Sequence, residues 1–479
     1  MIERSRCPLP SGGGPIAEDV AALWEGWMRH VDELLADERL VELVFDALAR
    51  RWTHSRTRGR RGTPADVVLR LLVLKHVRNW SYGALEREVR ANLVYRQFTH
   101  VGAGKVPDAK RLGRIGLALG PAVVQRLHQR VVTISRECGI VEGRRMRVDT
   151  TVVETNIHYP TDASLLGDGV RVLTRTMKKI TELAGAVGAV LRDRSRSTQR
   201  CLIQIGRAAR SRSDQGKQRL QQCYRRLLAI SGRVAGQAKR FAQEVASGCK
   251  HSVDLLQQMT LEGHRAYIET MLPRVQQVMR QTRQRINHGN THSPGKIVSL
   301  FEPHTEIIRK GKAGKPTEFG KMVKVQEAEN QIITGFEVYE KRPYDAALLI
   351  PAIESHQEQL GRVPRLVAAD AAFYSAGNER TAHEMGVQRV CVPNRNSKSA
   401  ERKREQKKRW FRNGQKWRTG CEGRISVVKR RHGLNRCRDK GDRGMRRWVG
   451  LSVIADNLIN IGRVLTRREN PAPAVADHC

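Results

Sequence analysis

The apolar pattern of this chain changes period three times along its length, and that alternation limits its fold more than any other feature. From Met146 to Val153 (MRVDTTVV) the residues are rich in β-branched side chains and read as a strand, with Asp149 in its middle. From about Leu165 to Asn290 the spacing turns helical. Leu173, Met177, Ile180, Val187 and Leu191 make one stripe, and Leu220, Tyr224, Leu227, Val234 and Phe241 another. Val253, Leu256, Met271, Val275 and Val278 suggest two more helices. Strand-type alternation returns after Gly295, over Thr305–Arg309, Met322–Gln326 and Ile332–Tyr339, in the manner of an antiparallel meander. A helix over Asp345–Leu360 follows, then the continuous apolar run Leu366–Ala369, which ends in Asp370 and suits a strand buried on both faces. A helix over Asn378–Met385 and a strand over Arg389–Val392 close the pattern. The chain therefore reads as α/β, with a mixed-sheet core interrupted by a helical insertion.

Ahead of the core the pattern is all-α. Val20 to Ala49 has helical apolar spacing, followed by the basic, Gly-punctuated run Arg56 to Gly62. Thr63, Pro64 and Asp66 form a Thr-x-x-Asp helix start, Ser81 can cap a second helix carrying Leu85 and Val89, and Pro107-Asp108 opens a third with Leu112, Ile115 and Leu119. With Arg87, Arg90, Arg96, Lys110, Arg111 and Arg114 among them, these helices suit a helix-turn-helix-like module for the DNA major groove; a plain helical bundle with solvated basic faces is the competing reading. The division expected is a helical segment and linker over 1–60, a DNA-binding domain over 61–140, the first part of the core over 141–164, the insertion over 165–295, the second part over 296–465 and a flexible tail over 466–479.

Charge narrows the partners. The 87 Lys+Arg against 48 Asp+Glu leave +39, an excess that repels itself unless a polyanion neutralises it, and nucleic acid is the natural one. Between Glu401 and Trp448 alone there are 19 Lys/Arg against 5 Asp/Glu. The sequence offers no lipidation motif, no signal peptide and no apolar run of 18 residues, so an anionic membrane is the weaker candidate. Nine scattered cysteines without a Cys-x-x-Cys pair fit a reducing cytoplasm and the part of small buried hydrophobes, and a DNA-binding chain there is expected to associate with the nucleoid. The 15 histidines show no metal-ligand spacing and read as surface or capping groups, with His432 a candidate phosphate contact. Gly12-Gly13-Gly14 reads as a flexible loop.

Three acids stand out. Asp370 ends a buried-looking strand, where α/β sheets present functional groups. Asp149 interrupts an apolar strand, an expensive place for a charge without a partner. Glu422 lies beside the helical stripe Cys421, Ile425 and Val428, on a neighbouring stripe with Arg418, Ser426 and Lys429, and Gly433 would stop that helix. Three converging carboxylates would make a negative well for two hard divalent cations, the arrangement that stabilises attacking and leaving oxygens in phosphodiester displacement. Each has an ordinary alternative: Asp149 pairing with Arg147, Asp370 capping the next helix, Glu422 in an exposed salt bridge. Asp149 and Asp370 are 221 residues apart, whereas the elements between them need only about 60 to 80. The helical segment absorbs the difference.

At these residues the chain resembles the DDE transposases of bacterial insertion sequences, and within them the ISNCY-like group. The matching stretches are VDTTVVETNIHYPTD around Asp149, LVAADAAFYSAGN around Asp370 and RTGCEGRISVVKRRHGLNRCRDKG around Glu422. The last carries the Arg-x3-Glu-x6-Lys signature as Arg418, Glu422 and Lys429, with Gln415 where the family usually has an aromatic and Trp417 as its nearest substitute. The likeness runs from about Gly62 to Arg463. It implies an RNase H-like core behind an N-terminal all-α domain that binds terminal inverted repeats. It also implies Asp149, Asp370 and Glu422 as the catalytic, metal-holding triad, two Mg²⁺ ions that Mn²⁺ can replace, and homodimers or larger assemblies acting on double-stranded DNA ends and target DNA. Arg418, Lys429, Arg430 and Arg431 would contact DNA phosphate, and Trp410, Phe411 and Trp417 are stacking candidates. The alternative is a catalytically inactive, domesticated DNA-binding protein.

Overall fold

The computed structural model describes residues 1–5, 15–59, 61–185, 187–309 and 316–470. The Gly12–Gly14 run and the end of the chain from 471 lie outside the described residues. Two compact units emerge: residues 1–156 with 320–479, and the stretch 157–319 between them.

The first unit begins with helices α1 (Pro15–Ala22), α2 (Met28–Leu35), α3 (Glu38–Ala49), α4 (Ala65–Val77), α5 (Tyr82–Ala91), α6 (Leu93–Phe98), α7 (Ala109–Ala118) and α8 (Pro121–Glu137). Ser81 caps α5 by accepting from the Ala84 amide, and Asp108 caps α7 through the Arg111 amide. The Thr63 capping box does not form. Pro64 is the N-cap residue, without a side-chain cap, and the amides of Ala65 and Asp66 instead donate to the Glu3 and Arg4 carbonyls, a long-range substitute that local spacing could not reveal. Every residue of α4 is buried, so it is a core helix; among the expected basic contacts, Arg96 is spent on the Gly102 and Gly104 carbonyls. On α7, Leu112 and Ile115 face the core while Lys110, Arg111 and Arg114 stay exposed.

The mixed sheet follows. Strand β1 (Arg145–Thr155) leads out of the first unit, and β2 (Glu306–Arg309) lies in the second. Then come β3 (Thr317–Glu327), β4 (Ile333–Val338), α13 (Leu349–Leu360), β5 (Leu366–Ala368), α14 (Ala376–Glu384), β6 (Arg389–Cys391), α15 (Ala400–Lys407), α16 (Arg409–Arg431), β7 (Arg436–Cys437) and α17 (Gly441–Glu469), the labels α9–α12 belonging to the second unit. β3 runs antiparallel to β1, β4 antiparallel to β3, and β5, β6 and β7 are parallel additions, giving the order β4-β3-β1-β5-β6 with β7 beside the far end of β1. Because side chains alternate along a strand, β1 sends Met146 and Val148 into a core under α13 and α14, and Val153 into one under α16 and α17. Beyond its exposed first residue, Arg145, β1 is buried on both faces except at Asp149 and Thr150, which are half-buried.

Helix α17 is the one described helix long and apolar enough to cross a membrane, against the expectation that no such run exists. Of that apolar window 78% is buried within the protein. Leu451, Ile454, Leu458 and Ile461 complete the core of α2, α3, α4 and α8, so the N-terminal helices close around the last helix of the chain.

The second unit is built on α9 (Asp162–Ala184), α10 (Ser195–Ala208), α11 (Asp214–Ala246) and α12 (Leu255–His288), which share one apolar core. Two expectations fail here. Gly185, at positive φ, ends α9, so Val187 does not continue its stripe and lies exposed. The two helices expected beyond Val253 are one, running through Pro273, with Val253 and Leu256 exposed.

Candidate active site

The parallel register of β1 and β5 sets the site. Arg145 pairs with Leu366, Met146 with Val367 and Arg147 with Ala368; carried two residues further, the same register levels Asp149 with Asp370. Asp370 thus lies just beyond the carboxyl end of β5, where α/β sheets place functional groups, level with Asp149 in the middle of β1. One Asp149 oxygen accepts the Thr150 amide at 2.7 Å, and one Asp370 oxygen accepts the Ala371 amide at 2.7 Å, capping a short 3₁₀ turn, Ala371–Phe373. Asp149 shares a strand face with Arg147 and Val153, the face covered by α16.

Helix α16 crosses both strand ends because two glycines admit it. A β-carbon on Gly414 would come within 2.6 Å of the Cys391 sulfur on β6, and one on Gly420 would run into the Arg147 guanidinium on β1. Arg147 donates to the Trp417 carbonyl and to Glu327, its register partner on β3, and stacks 4.8 Å from the Trp417 ring centre. That buried pair staples β1, β3 and α16 together. Burial pushes the Glu327 carboxyl above its ordinary value, with Arg147 opposing. The neighbouring Cys421 thiol is raised well above its own, first by burial and then by Glu327 and Asp149. Arg147 is therefore the partner of Glu327 and leaves Asp149 to another cation.

That cation is Arg418. Its guanidinium lies 3.0 Å from Glu422 Oε1, one turn along the helix, and 3.9 Å from Asp149 Oδ2. Glu422 is mostly exposed, whereas Arg418 and Asp149 are largely covered. Gln415, three residues before Arg418, was a residue that sequence comparison marked only as a departure. Its amide donates to the Cys391 carbonyl at 2.6 Å and the Ala369 carbonyl at 3.4 Å, which ties α16 to the backbone immediately before Asp370.

The structure therefore links Asp149 and Glu422 through one guanidinium and levels Asp370 with Asp149. Among the described residues no three His, Cys, Asp or Glu side chains gather closely enough to hold a metal. The donor chemistry nevertheless suits a hard cation: the candidates on β1, after β5 and on α16 offer carboxylate oxygens, with no sulfur or imidazole among them. Arg418 keeps two of the acids neutralised through itself.

Other candidates resolve differently. Arg430 and Arg431 are exposed near the end of α16, Lys429 is half-buried, and Gly433, at a φ of 81°, follows the helix end as expected. His432 is buried, accepting no phosphate: one ring nitrogen lies 3.3 Å from the His76 carbonyl and the other 3.4 Å from Asp456. His30, His76, His128 and His356 are buried as well, so the histidines are not all surface groups. Phe411 is core, with Trp410 and Trp417 packed against the same cluster. Cys201, Cys223, Cys391, Cys421 and Cys437 are buried, whereas Cys249 is exposed.

A family described as Transposase domain (DUF772) matches residues 27–115, over α2 to α7, and one described as Transposase DDE domain matches residues 379–462, over α16 and most of α17. No curated protein matches the chain, and no solved structure does. DDE domains generally work with divalent metal, and the match runs across the helix that carries Arg418, Glu422 and Lys429. Both matches are to transposase domains, and together they support an insertion-sequence DDE transposase.

Proposed function

We propose that this transposase cuts and joins DNA at the ends of its own insertion sequence, with Asp149, Asp370 and Glu422 as its catalytic carboxylates. The observation that carries the reading is the β1–β5 register, which levels Asp149 with Asp370 under the helix bearing Glu422. The strand order β4-β3-β1-β5-β6, three antiparallel and two parallel additions, supports an RNase H-like core within the ISNCY-like group.

Asp149 and Asp370 would hold two Mg²⁺ ions, which Mn²⁺ can replace, and Glu422 would complete one of them. When bound, such ions supply the Lewis acidity that activates water and steadies the leaving oxygen. The protein's own part is positioning. Arg418 spans Asp149 and Glu422; a DNA phosphate would offer its guanidinium a competing bidentate partner, and drawing Arg418 onto it would free both carboxylates. Lys429, Arg430 and Arg431, about two turns or more beyond Glu422 on the same helix, would hold the adjoining backbone. No protein nucleophile is required, and the 3′-hydroxyl exposed by the first cut is the attacking group of the second step. The exposed Lys110, Arg111 and Arg114 of α7 suit recognition of terminal inverted repeats, and two ends call for a homodimer or larger assembly in the cytoplasm, at the nucleoid.

The test is a labelled element-end duplex incubated with purified protein and Mg²⁺. The wild type should nick the duplex, and Glu422→Gln should bind it undiminished while leaving it intact. A wild type that shifts the duplex on a gel but never cuts it would favour the domesticated binder. Cutting that survives Glu422→Gln would move the catalytic acid elsewhere.

A further inference from the structure

The second unit contains a basic groove that the catalytic reading does not use. Between residues 157 and 319 there are 29 Lys/Arg against 12 Asp/Glu, a surplus of 17. Many of the acids there are already engaged: Asp162 with Arg285, Asp168 with Arg171, Asp193 with Lys178, and Glu262 and Glu269 both with Arg265. The groove, with a volume of about 1360 Å³, runs along α11 and takes walls from the α9–α10 connection and from α12. Arg225, Arg233 and Arg240 of α11, Arg192 and Arg194 of the connection and Arg283 of α12 line it, and no carboxylate does. Among the described residues none of these six guanidinium groups is paired with an acid.

Six like charges around one groove repel each other, and a helix gains nothing from holding three of them on one face. The floor is equally telling. Gly232 and Gly236 sit in the middle of α11, where glycine costs a helix roughly 0.5–1 kcal/mol relative to alanine, and a β-carbon on Gly236 would meet nothing within 4 Å. The groove is therefore open down to the helix backbone and ringed by planar donors whose fork matches phosphate oxygens.

We infer that this groove binds the phosphate backbone of duplex DNA, independently of base sequence. Charge complementarity selects a polyanion, and the transposase family of the chain selects DNA; the inference rests on the family and not on the carboxylates. Such contacts release condensed counterions, so each phosphate contact adds about 0.9 to the slope of log affinity against log salt.

The experiment measures binding of the full chain to a duplex of scrambled sequence, in EDTA so that cleavage plays no part, over a series of salt concentrations. Arg233→Ala/Arg240→Ala should weaken binding at least about tenfold at low salt and flatten the salt slope by about 2. Arg200→Ala/Arg207→Ala, which removes two exposed arginines of α10 outside the groove, should bind like the wild type. All four side chains are exposed or nearly so, and equal melting temperatures would show that folding is not at issue. Equal affinity and slope in the two double variants would overturn the proposal. Because the metal is absent throughout, this result stands apart from the fate of Glu422→Gln.

Discussion

The two units handle positive charge in opposite ways. In the first, arginines go inside and are matched there: Arg147 with Glu327, Arg70 with Asp32 at 2.6 Å, Arg447 with Asp439 at 2.6 Å and Arg424 with Asp456 at 3.4 Å. In the second, the core of α9–α12 is apolar and the groove arginines face solvent without acids. The formal charge of +39 therefore mixes two populations, one that builds the fold and one that waits for an outside partner. Internal compensation, more than the count of basic residues, tells them apart.

The largest effect should come from breaking a compensated pair. Glu327→Ala leaves Arg147 buried beside β3 with no counter-charge, a change that costs about 3–5 kcal/mol. Denaturant unfolding of the full chain should show it. Asp193→Ala, which breaks the exposed Lys178 pair of the second unit, should cost no more than about 1 kcal/mol. Similar losses in the two variants would break the comparison.

Acid should sharpen it. His128 is fully buried, with Nε2 2.8 Å from the Ile333 carbonyl, and burial lowers its imidazole from 6.5 to about 4. Burial also lowers His76 and His356. The unfolded chain takes up protons on these rings below pH 6.5, whereas the folded chain resists until pH is far lower. Stability conferred by the neutral rings is thus complete above 6.5 and drains away as pH falls towards 4, at up to about 1.4 kcal/mol per pH unit for His128 alone. In the second unit burial lowers the half-buried His264 of α12 as well, but among the described residues no histidine of that unit is fully buried. Hydrogen exchange followed from neutral to acid pH should therefore show the sheet and α8 opening before α11 and α12. Simultaneous opening would contradict the prediction.

What the sequence showed, and what it hid, divides along the same physical line. Periodicity is local, so the strands around Asp149 and Asp370, the stripe of Cys421, Ile425 and Val428, and the stop at Gly433 could all be read from the residues alone. Register is not local: nothing in the letters says that Arg145 meets Leu366, yet that pairing alone levels the two aspartates. Gln415 looked like a lost aromatic because its partners, the Cys391 and Ala369 carbonyls, are backbone atoms that leave no mark in sequence. The buried His128 and His356 escaped for the same reason, since a ring bonded to a main-chain carbonyl has no sequence partner. Helix α17 did carry a signal, the apolar run from Trp448 to Gly462, which the surrounding basic residues obscured.

Two helix-interior glycines put the smallest and finest test on the contrast. Gly414 and Gly236 lie in α16 and α11, and neither has a positive φ, so only their surroundings separate them. Alanine at Gly414 would drive its β-carbon to 2.6 Å from the Cys391 sulfur and 3.1 Å from its β-carbon, lifting α16 from the sheet at a cost of about 1–3 kcal/mol. Gln415 would be pulled from the Ala369 carbonyl with it, so DNA cutting should fall further than the change in melting temperature alone explains. Alanine at Gly236 meets nothing within 4 Å and should instead raise helix stability by roughly 0.5–1 kcal/mol. Since the fold around Gly236 leaves room for alanine, the bare backbone there suits close approach by whatever enters the groove. If Gly236→Ala proved destabilising, the open floor would be a demand of packing, and the two units would differ less than their arginines imply.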